Sequence, residues 1–254
     1  MWRVFCASAT GQRNLEQGAA GQDSSHYVVT ADVLVATVCD GAGSVPEGRT
    51  GSDFIARALA DDLASTVHAD PSLCEVQADG CARLEATILS TIDAVRTRLA
   101  DLAASRELAL YDFSCTLVGC VASPRGGCFF QIGDGFAIQQ AANGDSALSH
   151  PENGEYADET YFVTDENWKD HLRLTPLPAP ERGCVIGLMS DGTAPFAVNR
   201  ARSGFFRPFI DPIAAFLREA TAPNGNEALR NLLESRRACE ISSDDKTLLL
   251  AFVL

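Results

Sequence analysis

Four aspartates occupy the same kind of position, the junction between an apolar, strand-like segment and a glycine-containing or polar loop. They are Asp40 in VCDGAGS, Asp134 in FQIGDGFA, Asp191 in GLMSDGT and Asp244 in SSDDKTLLL. Carboxylates at strand ends can meet at one edge of a sheet although they are far apart in the chain. Anions held that close repel one another unless a cation lies among them. The four junctions therefore predict a metal site.

The residue types at these junctions indicate which metal would bind. Oxygen ligands without clustered histidines or thiolates are typical of Mg²⁺ and Mn²⁺ rather than of zinc. A glycine after an aspartate, as Gly41 follows Asp40, lets the backbone approach an ion and offer its carbonyl. A single Asp-Gly pair is more often a turn than a ligand, so the prediction rests on the recurrence of the pattern.

Other catalytic motifs are missing from the sequence. Gly41 and Gly43 lack the third glycine of a dinucleotide-binding loop, and no G-x-x-x-x-G-K-[ST] phosphate loop occurs. Ser190 lies one position out of step with the G-x-S-x-G nucleophile motif, and the four histidines are scattered singly. Because position 42 is alanine, Asp40 does not begin the D-x-D pair of hydrolases that form a phosphoaspartate.

The composition limits both the partners and the compartment. The 254 residues carry a formal net charge of -14, which disfavours nucleic acid and anionic membrane surfaces as partners. No apolar stretch approaches the roughly 20 residues that span a bilayer. The nine cysteines include no C-x-x-C pair and are expected to be reduced, mostly buried thiols. We expect a cytoplasmic protein, monomeric and folded as one domain over residues 1–254.

Periodicity predicts the strands and helices that would position these aspartates. Two β-branched runs within residues 27–39 predict a hairpin of strands. Further apolar runs predict strands over residues 113–122, 127–132, 183–189 and 246–254. Apolar residues at helical spacing predict helices around residues 55–63, 84–102, 213–220 and 227–233. Ser44 and Glu47 form an S-x-x-E signature that predicts the start of the first of these helices.

The order of these elements favours an α+β fold. Strands and helices come in groups rather than in strict β-α-β alternation, which indicates antiparallel sheets with helices packed outside. Residues from about 141 to 180 are rich in Asn, Gly, Asp, Glu and Pro and have little periodicity. Because so long a connection inside a domain is usually functional, we interpret it as a candidate flap, with its aromatic part at residues 154–168.

The ordered motifs DGAGS, G-D-G, S-D-G-T and D-D-K-T resemble those of the metal-dependent protein phosphatase 2C (PPM) family, in its short bacterial branch. The resemblance covers nearly the whole chain. It implies an αββα sandwich, with two antiparallel sheets between helices and a site for two Mn²⁺ or Mg²⁺ ions at one edge. It also implies a serine/threonine protein phosphatase that hydrolyses phosphomonoesters by direct attack of a metal-bridging water. Its partners would be a phosphoserine or phosphothreonine protein and a cognate protein kinase.

The resemblance assigns roles to individual residues. Asp40 resembles the carboxylate that bridges the two ions, with the Gly41 carbonyl as a further ligand. Asp191 and Asp244 resemble the other carboxylates of the first ion. In D-D-K-T the ligand is the first aspartate, because the family spacing places it three residues before Thr247.

Further positions resemble supporting groups of the family. Asp134 resembles an aspartate that helps to hold a third, weaker ion. Gln22 and Asp23 resemble the acidic pair after the first strand, and Asp23 would order metal-bound waters from just outside the ligand shell.

The chain also departs from the family pattern. Position 42 is alanine where some relatives carry a histidine, so no general acid is assigned, and G-D-G-F replaces G-D-S-R. The phosphate-binding arginine near the N-terminus has no clear counterpart, although Arg3 or Arg13 could substitute for it.

Two alternatives to a protein phosphatase stay open. One is a phosphatase of small phosphorylated metabolites. The other is a catalytically silent relative that binds a phosphoprotein or regulates a kinase. The missing arginines favour the silent module, whereas the presence of all principal aspartates favours catalysis, because an acidic cluster without a bound ion is unfavourable.

Overall fold

Two five-stranded antiparallel sheets, packed face to face, form the centre of the structure. The computed structural model describes residues 2–74, 78–151 and 160–253, without the side chains of residues 78–80. In spatial order, the first sheet contains β1 (Trp2–Ala9), β10 (Lys246–Val253), β9 (Val185–Met189), β6 (Phe136–Gln140) and β7 (Ser146–Ser149). The second sheet contains β2 (Ser24–Thr30), β3 (Val33–Cys39), β4 (Leu117–Ser123), β5 (Gly126–Ile132) and β8 (Arg173–Leu177).

Helices cover the outer face of each sheet. The helices of the described chain are α1 (Gln12–Glu16), which lies in the loop after β1, and α2 (Gly48–Ala69), α3 (Ala78–Ser105), α4 (Ala194–Ala197), α5 (Arg207–Glu219), α6 (Ala222–Leu233) and α7 (Arg236–Ile241). Helices α2 and α3 pack on the second sheet, and α5 and α6 pack on the first. The layers therefore run α-β-β-α, which confirms the predicted α+β sandwich. Within the described ranges, no helix has the length and apolar character needed to cross a bilayer.

Strand β3 is apolar at every position except Thr37 because both of its faces are buried. Val35 and Cys39 contact the layer of α2 and α3, whereas Leu34, Ala36 and Val38 pack against the other sheet. Alternate residues of a strand point to opposite faces, so a strand between a helix layer and a second sheet is apolar on both faces. Thr37 is tolerated there because its hydroxyl donates to the Ala56 carbonyl at 2.7 Å. The sequence run VLVATVC is thus the signature of an interior strand.

Strand register brings the aspartate-bearing loops to one end of the sandwich. Ser24 at the start of β2 pairs with Cys39 at the end of β3. Phe136 at the start of β6 pairs with Met189 at the end of β9, and Leu248 near the start of β10 pairs with the same methionine. The turn of residues 133–135 joins the end of β5 to the start of β6, so this end is shared by both sheets.

The segment from 141 to 180 is more regular than its sequence indicates. It contributes β7 and β8 to the sheets, and residues 152–159 of the candidate flap lie outside the described residues. In the rest of its aromatic part, Val163 and Trp168 belong to the core beneath α3, and Tyr161 stacks on His171 at 3.4 Å between ring centroids. These three side chains anchor the segment to the domain.

Two local predictions are wrong in their boundaries. Helix α2 begins at Gly48, after the predicted Ser44, and Glu47 at its N-cap makes no side-chain capping bond. The contact between Gly41 and the Gly48 carbonyl, where a Cβ on Gly41 would approach within 2.4 Å, fixes the preceding loop instead. The strand predicted from position 113 begins at Leu117, because residues 114–116 bond to the loop after β3 rather than to a neighbouring strand.

Helix α2 leaves no room for a side chain at Gly51. A Cβ there would lie 1.9 Å from the Phe113 carbonyl oxygen. Alanine in place of glycine stabilises an open helix by roughly 1 kcal/mol, but here the two backbones must separate. We expect Gly51→Ala to lower the melting temperature by about 5 °C or more. Exposed Ser65→Ala in the same helix is the control, and a raised melting temperature for Gly51→Ala would contradict this contact.

Candidate functional site

Five aspartate side chains from five loops lie close together at the shared end of the sheets. Asp23 and Asp40 are in side-chain hydrogen-bond contact, and Asp40 also contacts Asp191. The charge of Asp244 acts on both Asp40 and Asp191, and that of Asp134 acts on Asp191. The structure therefore brings together all five aspartates that the sequence singles out.

Burial and mutual repulsion raise the pKa values of this cluster. Burial, opposed by a hydrogen bond from Ser190, raises the pKa of Asp23 to about 6. Burial, followed by the charges of Asp134 and Asp244, raises the pKa of Asp191 to about 7. Burial and then the charge of Asp23 raise the pKa of Asp40 well above its usual range. The cluster consequently holds protons near neutral pH unless another positive charge replaces them.

The donor set of the cluster fits a hard divalent cation. Asp23 Oδ1 and Asp191 Oδ1 are buried and have no hydrogen-bond partner, which is costly for carboxylate oxygens. Among the described residues, no three acidic, histidine or cysteine side chains already surround one point as ligands. Binding an ion would therefore exchange the contacts between carboxyl groups for bonds to the ion.

Asp40 is held rigidly at the end of β3 by its backbone. Its N–H donates to Thr116 Oγ1 at 3.1 Å, and the Thr116 N–H donates to the Asp40 carbonyl at 2.8 Å. The next N–H, that of Gly41, donates to the Gln22 carbonyl at 3.2 Å. Gly41 is required because the chain passes against the start of α2, a steric reason that does not involve an ion.

Ser190 acts as a buried link between two parts of the cluster. Its hydroxyl donates to Asp23 Oδ2 at 2.7 Å and accepts from the Thr247 N–H at 2.9 Å. The side chain that sequence reasoning discarded as a nucleophile is thus a positioning group for Asp23. Strand pairing brings β9 beside β10, and the packing of the two sheets brings the start of β2 close to them. The sequence carries no signal for this link, because neither contact is local in the chain.

Asp245 is a second group that sequence reasoning missed. It is buried, and its carboxylate accepts from the Gly11 N–H at 2.5 Å, from Asn14 Nδ2 at 2.9 Å and from the Gln22 N–H at 2.5 Å. These three donors span the segment between β1 and β2. One carboxylate therefore fixes the whole N-terminal loop, including α1, against the start of β10.

Lys246 shapes the turn that presents Asp244. Its side chain is fully buried, and Nζ donates to the carbonyls of Ser242 at 3.2 Å and Asp244 at 2.7 Å. Gly192 lies against this turn, since a Cβ there would be 2.0 Å from the Asp245 carbonyl oxygen. Asp191 and Asp244 are brought together by this backbone contact.

A cavity of about 240 Å³ opens at the cluster, and among the described residues that line it one, an arginine, is basic. Asp40, Asp134 and Asp244 line it together with Arg13 of α1. Within the described chain the exposed Arg13 side chain forms no ion pair, so it is available to a ligand. Arg3, the other arginine considered from sequence, donates instead to the Arg218 carbonyl and does not line this cavity.

The middle of the 141–180 segment also reaches this cavity. Thr160 and Phe162 line it, and Thr160 Oγ1 donates to Asp134 Oδ2 at 2.7 Å. The segment that was predicted to lie over the site therefore contributes a wall to it and helps to orient Asp134.

Comparisons with known proteins agree with this architecture. The family model of protein phosphatase 2C matches residues 10–234. Serine/threonine-protein phosphatase 3 of Escherichia coli (strain K12) is 31% identical over 261 residues, covering 98% of each chain.

Solved structures share the fold at low sequence identity. The S. agalactiae serine/threonine phosphatase superposes with a TM-score of 0.65 at 15% identity, and the match covers 100% of both chains. Stp1 from Staphylococcus aureus superposes with a TM-score of 0.63 at 16% identity, covering 100% of this chain and 96% of its own. The match of the family model over most of the chain, and the similarity to the E. coli protein over nearly all of it, show that this chain belongs to the protein phosphatase 2C family.

Proposed function

We propose that this chain is a serine/threonine protein phosphatase that uses Mn²⁺ or Mg²⁺. Dependence on these metals is general in the family. The observation that supports the proposal is the convergence of five aspartates, two of which have a buried oxygen without a partner. Repelling carboxylates at the mouth of a cavity are suited to holding cations beside a substrate phosphate.

The proposed ligands follow the placement of the side chains. Asp40 would be a ligand of both ions, and the Gly41 carbonyl would be a further ligand. Asp191 and Asp244 would supply the other carboxylate ligands of the first ion. Asp134, beside Asp191, would help to hold a third. When bound, the cations activate water as a nucleophile and neutralise charge on the phosphoryl oxygens.

The chain itself would position the substrate. Phosphoryl transfer to water passes through a loose transition state, in which positioning and charge supply most of the acceleration. Arg13, which lines the cavity and forms no ion pair with the described residues, would bind the phosphate. Asp23, fixed by Ser190, would orient water at the edge of the cluster.

The proposed substrate is a phosphoserine or phosphothreonine protein, and its formation requires a protein kinase. A panel that compares phosphopeptides with phosphosugars separates this proposal from a metabolite phosphatase. The silent-module alternative predicts peptide binding without turnover. Arg13 in the cavity weakens that alternative, because it places beside the cluster a positive charge that can bind phosphate. The family arginines that are missing from the sequence would have had that role.

We expect the purified protein to release phosphate from phosphothreonine peptides with Mn²⁺ present and to stop when the metal is chelated. Asp40→Asn should lower kcat about 1,000-fold or more, because the central carboxylate is lost. The metal-free variant should melt no lower than the parent, since a repelled, buried carboxyl is removed. Exposed Asp101→Asn is the control. Activity that survives chelation would disprove the proposed function.

The metal-free protein should lose stability as the pH rises. Asp23 and Asp191 have folded pKa values of about 6 and 7, above their usual value of 3.8, so the folded state binds more protons than the unfolded state between about pH 4 and pH 7. Stability therefore falls through this window. We expect the melting temperature to drop by roughly 5 °C or more from pH 5 to pH 7.5.

Added Mn²⁺ should restore stability at pH 7.5 and have little effect at pH 5, where protons compete for the same oxygens. Calorimetry with and without the metal measures both effects. Asp191→Asn should make the melting temperature of the metal-free protein fall less steeply with pH. A melting temperature that instead rises across this window in the metal-free protein would contradict the raised pKa values.

Asp245→Asn should weaken substrate binding through Arg13. The amide has one acceptor oxygen in place of two, so the loop that carries Arg13 loses part of its anchor. We expect KM for a phosphopeptide to rise about tenfold, as for Arg13→Gln, with a smaller change in kcat. The double variant Asp245→Asn/Arg13→Gln should raise KM no further than the single variant that has the larger effect. Asp70→Asn, at the half-buried C-cap of α2, is the control, and additive losses would show that the two residues act separately.

A further inference from the structure

A second cavity, of about 460 Å³, adjoins the aspartate cluster. It shares Asp134 with the first cavity and is also lined by Asp191, so the two cavities meet at the cluster. Arg200 and Arg202 belong to its lining as well. We call this second cavity, lined by residues of the 191–202 region together with Phe136 and Pro151, the arginine trough.

The arginines stand on a hairpin with a fixed backbone. Val198 and Phe205 form a β-bridge that closes it. Inside the loop, Asn199 Oδ1 accepts from the Ser203 N–H at 3.1 Å, and the Asn199 N–H donates to the Gly204 carbonyl at 3.0 Å. The loop therefore has a defined shape, although its arginine side chains are exposed.

Arg202 lies over the floor of the trough. Its guanidinium carbon is 5.5 Å from the centroid of the Phe136 ring, which also lines the trough. Stacking on an aromatic ring leaves the edge of a guanidinium group free to bind a carboxylate. Its backbone φ of +51° is unusual for a residue other than glycine and turns the hairpin at this position.

The charges of the trough differ from those of the rest of the chain. Within the described residues, neither Arg200 nor Arg202 forms an ion pair, whereas Arg57, Arg98 and Arg207 on the helices are each paired with an aspartate. Two unpaired cations next to the catalytic cluster, in a chain of net charge -14, indicate complementarity to an acidic ligand.

We propose that the arginine trough binds the segment of a phosphoprotein next to the phosphorylated residue and selects acidic side chains there. The inference rests on the proposed function. With the phosphate beside Arg13 and Asp40, the neighbouring residues of the substrate pass Asp134 into the trough. Their carboxylates pair with Arg200 and Arg202, while apolar atoms contact Phe136. Cations bound at the cluster offset the repulsion from its aspartates.

The test uses phosphothreonine peptides that differ only in their flanking residues, with glutamates or glutamines on either side of the phosphothreonine. For the parent protein we expect kcat/KM to be about tenfold higher with the glutamate peptide and this preference to shrink with added salt. The R200Q/R202Q variant should reduce the preference to within about twofold. R200E/R202E should favour a peptide flanked by lysines.

The controls separate the trough from the catalytic site. Arg237→Gln removes an exposed arginine on α7 and should keep the full preference. An aryl phosphate has no flanking residues that could contact the trough. The loss of kcat/KM caused by R200Q/R202Q should therefore be about fivefold greater on the glutamate peptide than on the aryl phosphate. Equal losses on both substrates, or equal rates of the parent on both peptides, would overturn the proposal.

A binding measurement keeps the trough testable if the protein does not turn over. Fluorescence anisotropy with the Mn²⁺-loaded parent protein compares its affinities for non-hydrolysable phosphonate forms of the two peptides, and we expect about a fivefold preference for glutamate that R200Q/R202Q removes. Absence of that preference would overturn the proposal that the trough selects acidic residues. Absence of turnover on every phosphorylated substrate, with the binding preference intact, overturns the proposed function alone.

Discussion

The repulsion among five buried or half-buried carboxyl groups is the constraint on which the rest of this structure depends. Asp40 sits at the centre of that repulsion, with Asp23 and Asp191 in contact with it. A fold tolerates such a cluster only if other contacts hold the loops in place and if protons or cations reduce the charge. Stability and metal binding are therefore linked in this protein through the same side chains.

The contacts that hold the cluster come from neutral and backbone groups as well as from charges. Thr116 fixes the backbone of Asp40, and Ser190 fixes the side chain of Asp23. Asp245 and Lys246 bond to backbone groups and so fix the loop between β1 and β2 and the turn that precedes β10. This arrangement gives each acidic side chain a rigid support while leaving its remaining oxygens for a ligand.

Cations on the protein flank the cluster without neutralising it. Arg13 approaches from α1, and the arginine trough adjoins the cluster at Asp134 and Asp191. A phosphorylated, acidic segment would find positive charge at its phosphate and along its flank. The strongly acidic remainder of the chain would repel the same segment elsewhere, which favours binding at this one place.

The sequence by itself determined the aspartates, the interior strand that ends at Asp40 and the α+β class, because these depend on residue type and on the local alternation of apolar side chains. It did not determine the positions of Ser190, Asp245 and Arg13. Asp23, to which Ser190 donates, lies 167 residues away, and the three donors to Asp245 lie 223 residues or more away. Helix α1, which carries Arg13, has no buried residue to give it a pattern. Only the pairing of β1, β9 and β10 and the facing of the two sheets brought these groups together, since a hydrogen bond across the sandwich leaves no periodicity in the chain.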